Sequence, residues 1–200
     1  PFPANILGSV SGSPLQMASV FATIANSGQQ CTPKSIESVT DRDENVLKEF
    51  AADCKEVISP ELANKTAALL TASAGQYYTS TRLGDGRPFA AKSGTTDGHA
   101  NTWLTGFTPS LATAVWVGHG DNSSQEVSGV VINGVYHSEI FGETYVGQNI
   151  WAPYMTQALA GTPIEAVSNA NIGASIPQRG STPTPNPSQS ATPSPSPTGN

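Results

Sequence analysis

Lys92-Ser93-Gly94-Thr95-Thr96 places one fixed positive charge, three hydroxyls and a glycine in five consecutive positions. That mixture suits a strand gripping a carboxylate and the carbonyl next to it. The lysine supplies a field in a chain whose net charge is -6. The hydroxyls supply donors, and unpaired backbone N–H groups supply an oxyanion hole. Gly94 removes a side chain where another backbone must come close. Taken alone, the same residues also fit an exposed polar turn. Strict alternation along a strand puts Lys92 on the face opposite Ser93 and Thr95, so the three converge only over the strand's edge.

Other reactive side chains are less suggestive. His99, His119 and His137 fall in turns or in a polar insert, without the spacing of a metal or catalytic pair, and no catalytic role is expected for them. Asp97 and Asn101 flank the site strand and read as turn formers. Cys31 and Cys54 lack a His partner at ligand spacing, so no metal site and no cofactor is expected. They bracket a predicted hairpin, which leaves either two buried thiols or a disulfide. The extracytoplasmic style of the composition favours the disulfide, which loop entropy values at roughly 3 kcal/mol.

Several elements must position the central stretch. Ser13-Pro14 with Gln16 predicts a capped helix over 13–27, with Met17 and Phe21 in the core on a broad buried face. Residues 34–50 predict two short strands about a charged turn at 41–45. Ser59-Pro60-Glu61 starts a second helix, expected to end at Gly75, with Leu62, Ala63, Thr66, Leu69 and Leu70 on one face. Strands are predicted at 87–96, 101–107 and 111–118, with connections short enough to make neighbours antiparallel. Trp116 reads as a core residue of the last. A helix against one face would complete the layer. Asn133-Gly134 predicts a hairpin inside a glycine-rich insert or lid over 119–148, and a last helix covers about 149–160, with Pro153 in its first turn. The fold class is therefore α+β, an α/β sandwich with an antiparallel sheet packed on helices.

Composition sets further bounds. Charged residues are 12% of the chain, about half the usual ~25%, with Ser, Thr, Asn, Gly and Pro in their place. The acidic balance and the lack of Lys/Arg clusters argue against nucleic acid as partner. Nothing approaches ~20 consecutive apolar residues. Residues 1–165 read as one folded portion. Residues 181–200 hold six prolines, five serines, four threonines and no charge, so 166–200 is expected to be a disordered tail. The opening Pro1-Phe2-Pro3 suggests a fragment whose targeting segment lies upstream.

Lys92-Ser93-Gly94 resembles the Lys-Thr-Gly motif of penicillin-binding proteins and serine β-lactamases, with Ser for Thr. The flanks extend the likeness. Residues 13–28, then Thr95-Thr96-Asp97, Trp103, Gly106-Phe107-Thr108-Pro109, Val115-Trp116-Val117-Gly118 and Ile150-Trp151-Ala152-Pro153-Tyr154-Met155 follow, in one collinear order, the C-terminal part of the class A transpeptidase domain. No Lys has a Ser three residues before it and no Ser has an Asn two residues after it, so the nucleophile motif and the Ser-x-Asn motif are both missing.

The resemblance implies attack of a serine on the penultimate D-Ala carbonyl of a peptidoglycan stem peptide, then transfer to an amine of a neighbouring stem. β-Lactams would trap that serine. Lys92 would attract the substrate carboxylate and support proton transfer. Ser93 and Thr95 would hydrogen-bond that carboxylate, and the Thr95 N–H would share the oxyanion hole. Gly94 would let the peptide lie along the strand, with Thr96 completing the substrate-binding set. The expected partners are stem peptides, β-lactams and the missing N-terminal part, with a membrane reached only through an anchor on that part. Alternatives are a D,D-carboxypeptidase, a β-lactamase, or a non-catalytic cell-wall binding module.

Overall fold

The computed structural model describes residues 3, 8, 10–168 and 170. The expected tail lies almost wholly outside the described residues. In chain order the elements are α1 (Pro14–Ala25), β1 (Gln29–Cys31), β2 (Ser38–Thr40), β3 (Val46–Glu49), β4 (Cys54–Glu56), α2 (Pro60–Tyr77), β5 (Ala90–Thr95), β6 (Asn101–Thr108), β7 (Leu111–Gly118), β8 (Ser128–Ile132) and β9 (Val135–Glu139). A π-helical segment, Gly142–Trp151, then runs directly into α3 (Ala152–Ala158).

The helix starts follow their caps. Gln16 N donates to Ser13 Oγ at 3.3 Å while Ser13 N donates to Gln16 Oε1 at 2.8 Å, a reciprocal capping box. Leu62 N donates to Ser59 Oγ at 3.3 Å at the start of α2. The buried faces are narrower than the sequence suggests. In α1 only Phe21 and Thr23 are buried, and Leu15 is 64% exposed. In α2 the line Ala63, Ala67, Ala74 is buried, whereas Leu62 and Leu69 stand out into solvent. Small residues let α2 lie close, which turns the flanking leucines outward. Nor does Gly75 end α2. It keeps ordinary helical backbone, and the helix closes at Tyr78, whose N–H donates to Ala74 O at 2.9 Å.

Strands β5, β6 and β7 form an antiparallel sheet in that order, with Ala90 opposite Phe107, Ser93 opposite Leu104 and Trp103 opposite Trp116. Alternation then divides the core. Ala90 and Phe107 meet Phe21 of α1 and Ala67 of α2. Ala91 and Leu104, on the other face, meet Val146, Trp151 and Met155. The sheet is thus covered on both faces, not on one. The last helix also begins earlier than predicted, at Gly142 rather than near 149. Pro153 lies in the first turn of α3, directly after the π-helical segment, whose end is marked by the Ala152 N–H donating to Gly147 O.

The short polar strands β1 and β4 pair with Cys31 opposite Cys54, and a disulfide joins them. It closes the neck of the β2–β3 hairpin, which is exposed along its whole length. The hairpin β8–β9 turns at Asn133-Gly134, both with positive φ (51° and 80°), as that dipeptide requires.

Arg87, expected within the site strand, lies ahead of it and fastens the sheet to the end of the chain's last helix. It is only 5% exposed. Its guanidinium donates to Asp85 Oδ2, Thr162 Oγ1, Leu159 O and Thr162 O, at 2.8, 2.8, 3.2 and 3.1 Å. Side-chain hydrogen bonding by Arg87, reinforced by its backbone N–H, holds the Asp85 carboxyl below its usual range. Arg87→Ala should cost about 2–4 kcal/mol in chemical denaturation, because buried carbonyls lose their donor. A depressed carboxyl pKa stabilises above its unfolded value and loses that contribution as pH falls through the folded one. Asp85→Asn should therefore flatten the acid side of the melting-temperature profile, between the ordinary carboxylate pKa near ~4 and lower pH.

Candidate active site

Strand β5 is the edge of its sheet, and its backbone register decides what it offers. Thr96 N donates to Asn101 O at 3.0 Å, so the even-numbered residues face β6. The odd-numbered residues then present both N–H and C=O to the open side. Ser93 conforms: its N–H meets the Tyr78 hydroxyl at 2.8 Å and its C=O accepts from Lys92 Nζ at 2.6 Å. The same alternation turns the Thr95 N–H to that open edge.

Lys92 resolves the geometric difficulty posed by alternation. Its side chain curls over the edge to the Ser93 carbonyl, which puts its ammonium on the same side as Ser93. Lys92 and Ser93 line a cleft of about 340 Å³ together with Ser73, Tyr77, Tyr78 and Glu143. Tyr78 is 5% exposed, and its hydroxyl also lies 3.3 Å from Ser93 Oγ, so one phenol orients both the backbone and the side chain of Ser93. Gly94 has open space above it: a Cβ there would meet nothing closer than Trp103 Cβ at 3.9 Å. Packing within the chain therefore gives no reason for glycine at this position.

The π-helical segment closes the far side. Gly142 N donates to Thr95 Oγ1 at 3.3 Å, and Thr81 Oγ1 donates to Glu143 O at 3.0 Å. Gly142 is wedged against the Trp103 carbonyl and Ser93 Cβ, with no room for a side chain. The next residue, Glu143, is half-buried and reaches the cleft.

Thr96 differs from expectation. Its hydroxyl accepts from Asn101 N at 2.9 Å and closes the β5–β6 turn; of the five residues of the stretch only Lys92 and Ser93 line the cleft, and Gly94, Thr95 and Thr96 do not. Asn101 is bound on both sides, receiving Trp116 Nε1 at 3.0 Å and donating to Ser123 O at 2.9 Å. Trp116 is accordingly half-buried rather than core. His99 packs edge-on against Phe141, and His137 against Tyr145, at 4.6 and 4.7 Å between ring centres. Neither lines the cleft, nor does His119. Sequence reasoning missed Tyr78 and Glu143. The only signal was indirect: a tyrosine just past a helix that reaches the site strand, and an acid following the glycine that begins the last helix.

The architecture is that of the β-lactam-binding enzymes. The structure superposes on PonA1 of Mycobacterium tuberculosis in complex with penicillin V with a TM-score of 0.72 at 29% identity, covering 88% of this chain and 48% of that one. The sequence model of the penicillin-binding protein transpeptidase domain matches residues 4–137. Penicillin-binding protein 1A of Mycolicibacterium smegmatis is 33% identical over 190 residues, 90% of this chain and 23% of the relative. Penicillin-binding protein 2D of Bacillus subtilis is 34% identical over 174 residues, 80% of this chain and 22% of the relative. The chain belongs to the penicillin-binding protein transpeptidase family, among class A relatives, and it spans less than a quarter of the length of those two.

Tyr78→Phe removes the group that engages Ser93 twice. It should lower unfolding free energy by about 1 kcal/mol, read by urea titration, while the helical circular dichroism stays intact. An unchanged midpoint would mean that the Tyr78–Ser93 contact contributes nothing.

Proposed function

We propose that this chain forms the donor-binding wall of a peptidoglycan D,D-transpeptidase, within a longer extracytoplasmic polypeptide that also supplies the serine nucleophile and a membrane anchor. The observation that carries this reading is the open edge of β5. There the Lys92 ammonium and the Ser93 hydroxyl share one cleft, and the Thr95 N–H faces the same side. A stem peptide ending in D-Ala-D-Ala would add along this edge as a short strand. Its terminal carboxylate would meet Lys92 and the hydroxyls of Ser93 and Thr95. Its penultimate carbonyl would place its oxygen at the Thr95 N–H. As the tetrahedral intermediate forms, that N–H would stabilise the oxyanion together with a donor from the serine's own backbone. Lys92 would bias proton transfer toward the serine by its field. Gly94 would keep the strand's face clear for the peptide. Tyr78 would hold Ser93 in a fixed rotamer, so that less ordering is needed when substrate arrives. A β-lactam carries the same carboxylate-and-carbonyl pair and would enter in the same way.

A second reading has one observation in its favour: the chain has neither a Ser-x-x-Lys nor a Ser-x-Asn motif. A module that captures cell-wall peptides without acylation would need only the Lys92 edge, and its binding would weaken with salt. Lys92→Ala in the full-length protein separates the two. Under the transpeptidase reading, fluorescent β-lactam labelling slows by ~10²–10³-fold while the melting temperature is kept. Unchanged labelling kinetics in a folded Lys92→Ala protein would sink the role given to Lys92. A wild-type protein that binds stem peptide but never labels would establish the binding module.

A further inference from the structure

We propose that Glu143 is the acceptor-recognition residue of this cleft, drawing in the amino group of the incoming stem peptide. The inference rests on the acyl-transfer reading above and adds the half-reaction which that reading leaves unassigned. Donor and acceptor differ in the charge they bring. The donor arrives with a carboxylate, and the acceptor arrives with an amine that is protonated near neutral pH. The cleft holds one side chain of each sign, Lys92 and Glu143. Among the described residues they form no ion pair with each other within 4.0 Å, and Glu143 pairs with no other cation. Among the described residues neither charge is neutralised by an ion pair, although Lys92 Nζ rests on the Ser93 carbonyl.

The position of Glu143 is set by the backbone. Thr81 Oγ1 holds the Glu143 carbonyl, and Gly142 is fastened to Thr95 and seated against Ser93. Glu143 thus lines the same cleft as Lys92, beside the strand edge where the acyl group would lie. It would attract an ammonium, which raises the local concentration of amine over water at the acyl-ester. The transfer balances as follows. The bound ammonium releases one proton through Glu143 to solvent. The free amine attacks the ester carbonyl, the C–N bond forms as the C–O bond to serine breaks, and the amine's second proton passes to the serine oxygen.

The test uses the full-length protein, wild type and Glu143→Gln, with a depsipeptide donor. The acceptor is a stem tripeptide carrying a free side-chain amine, with its acetylated copy as control. Acylation by a fluorescent β-lactam should stay within about twofold of wild type, because it uses only the donor half. The ratio of aminolysis to hydrolysis should fall about tenfold, as expected from losing one charge-assisted contact. Glu143→Asp should recover most of it. A normal acylation rate with an unchanged ratio overturns the assignment and leaves the transpeptidase reading standing. An equal fall in acylation and aminolysis also overturns it, because a residue that only stabilises the helix start would act that way. A wild type that does not acylate overturns both.

Discussion

An edge strand left open on one side is the constraint on which the rest depends. Such a strand is a hazard, since its bare N–H and C=O groups invite pairing with any other chain. Here the exposure is kept to the odd positions of the six-residue strand Ala90–Thr95, and each is attended to differently. Ala91 is buried, Ser93 is engaged by Tyr78 and Lys92, and the Thr95 hydroxyl is held by Gly142. The backbone N–H and C=O of Thr95 are left facing the open side. β6 and β7 fill one side of β5, and Tyr78, just past α2, comes to the other.

The two faces of the sheet give that edge its rigidity. Ala90 and Ala91 are both fully buried on opposite faces, so β5 cannot twist without disturbing either α1 or the π-helical segment. Gly106 lets Trp151 lie against the sheet, where a Cβ would sit 2.7 Å from the indole. Trp151 Nε1 in turn donates to Thr113 O at 3.1 Å, tying the segment to β7. A close-packed interior of this kind transmits displacement rather than absorbing it. The position of Glu143 relative to Lys92 is therefore a property of the whole sheet-and-helix stack.

Much of this was legible in the sequence, for local reasons. Caps at Ser13 and Ser59, the Asn133-Gly134 turn and the antiparallel strands through β7 all depend on residues near one another in the chain. What escaped was tertiary. Gly75 has the form of a helix stop, yet the turn that carries Tyr78 to Ser93 continues through it. The start of the last helix was hidden because Gly142-Glu143-Thr144 has no apolar period, and its helical form comes from being clamped to Thr81 and Thr95. The burial of α1 and α2 was overread because leucines beside an alanine stripe look the same from either side. In the site, Lys92, Ser93 and Thr95 were visible as a pattern. Tyr78 and Glu143 belong to it only through contacts 15 and 62 residues apart in sequence.

The central claim is that this strand edge works inside an acyl-serine enzyme. The most direct measurement is a gel of the native host's membrane fraction, labelled with a fluorescent β-lactam and probed with an antibody to this chain. The account predicts a labelled, antibody-positive band much larger than the 20.6 kDa of the chain itself. An antibody-positive band at the chain's own mass without label would contradict it, and the edge of β5 would then belong to a protein that binds cell-wall peptides without reacting with them.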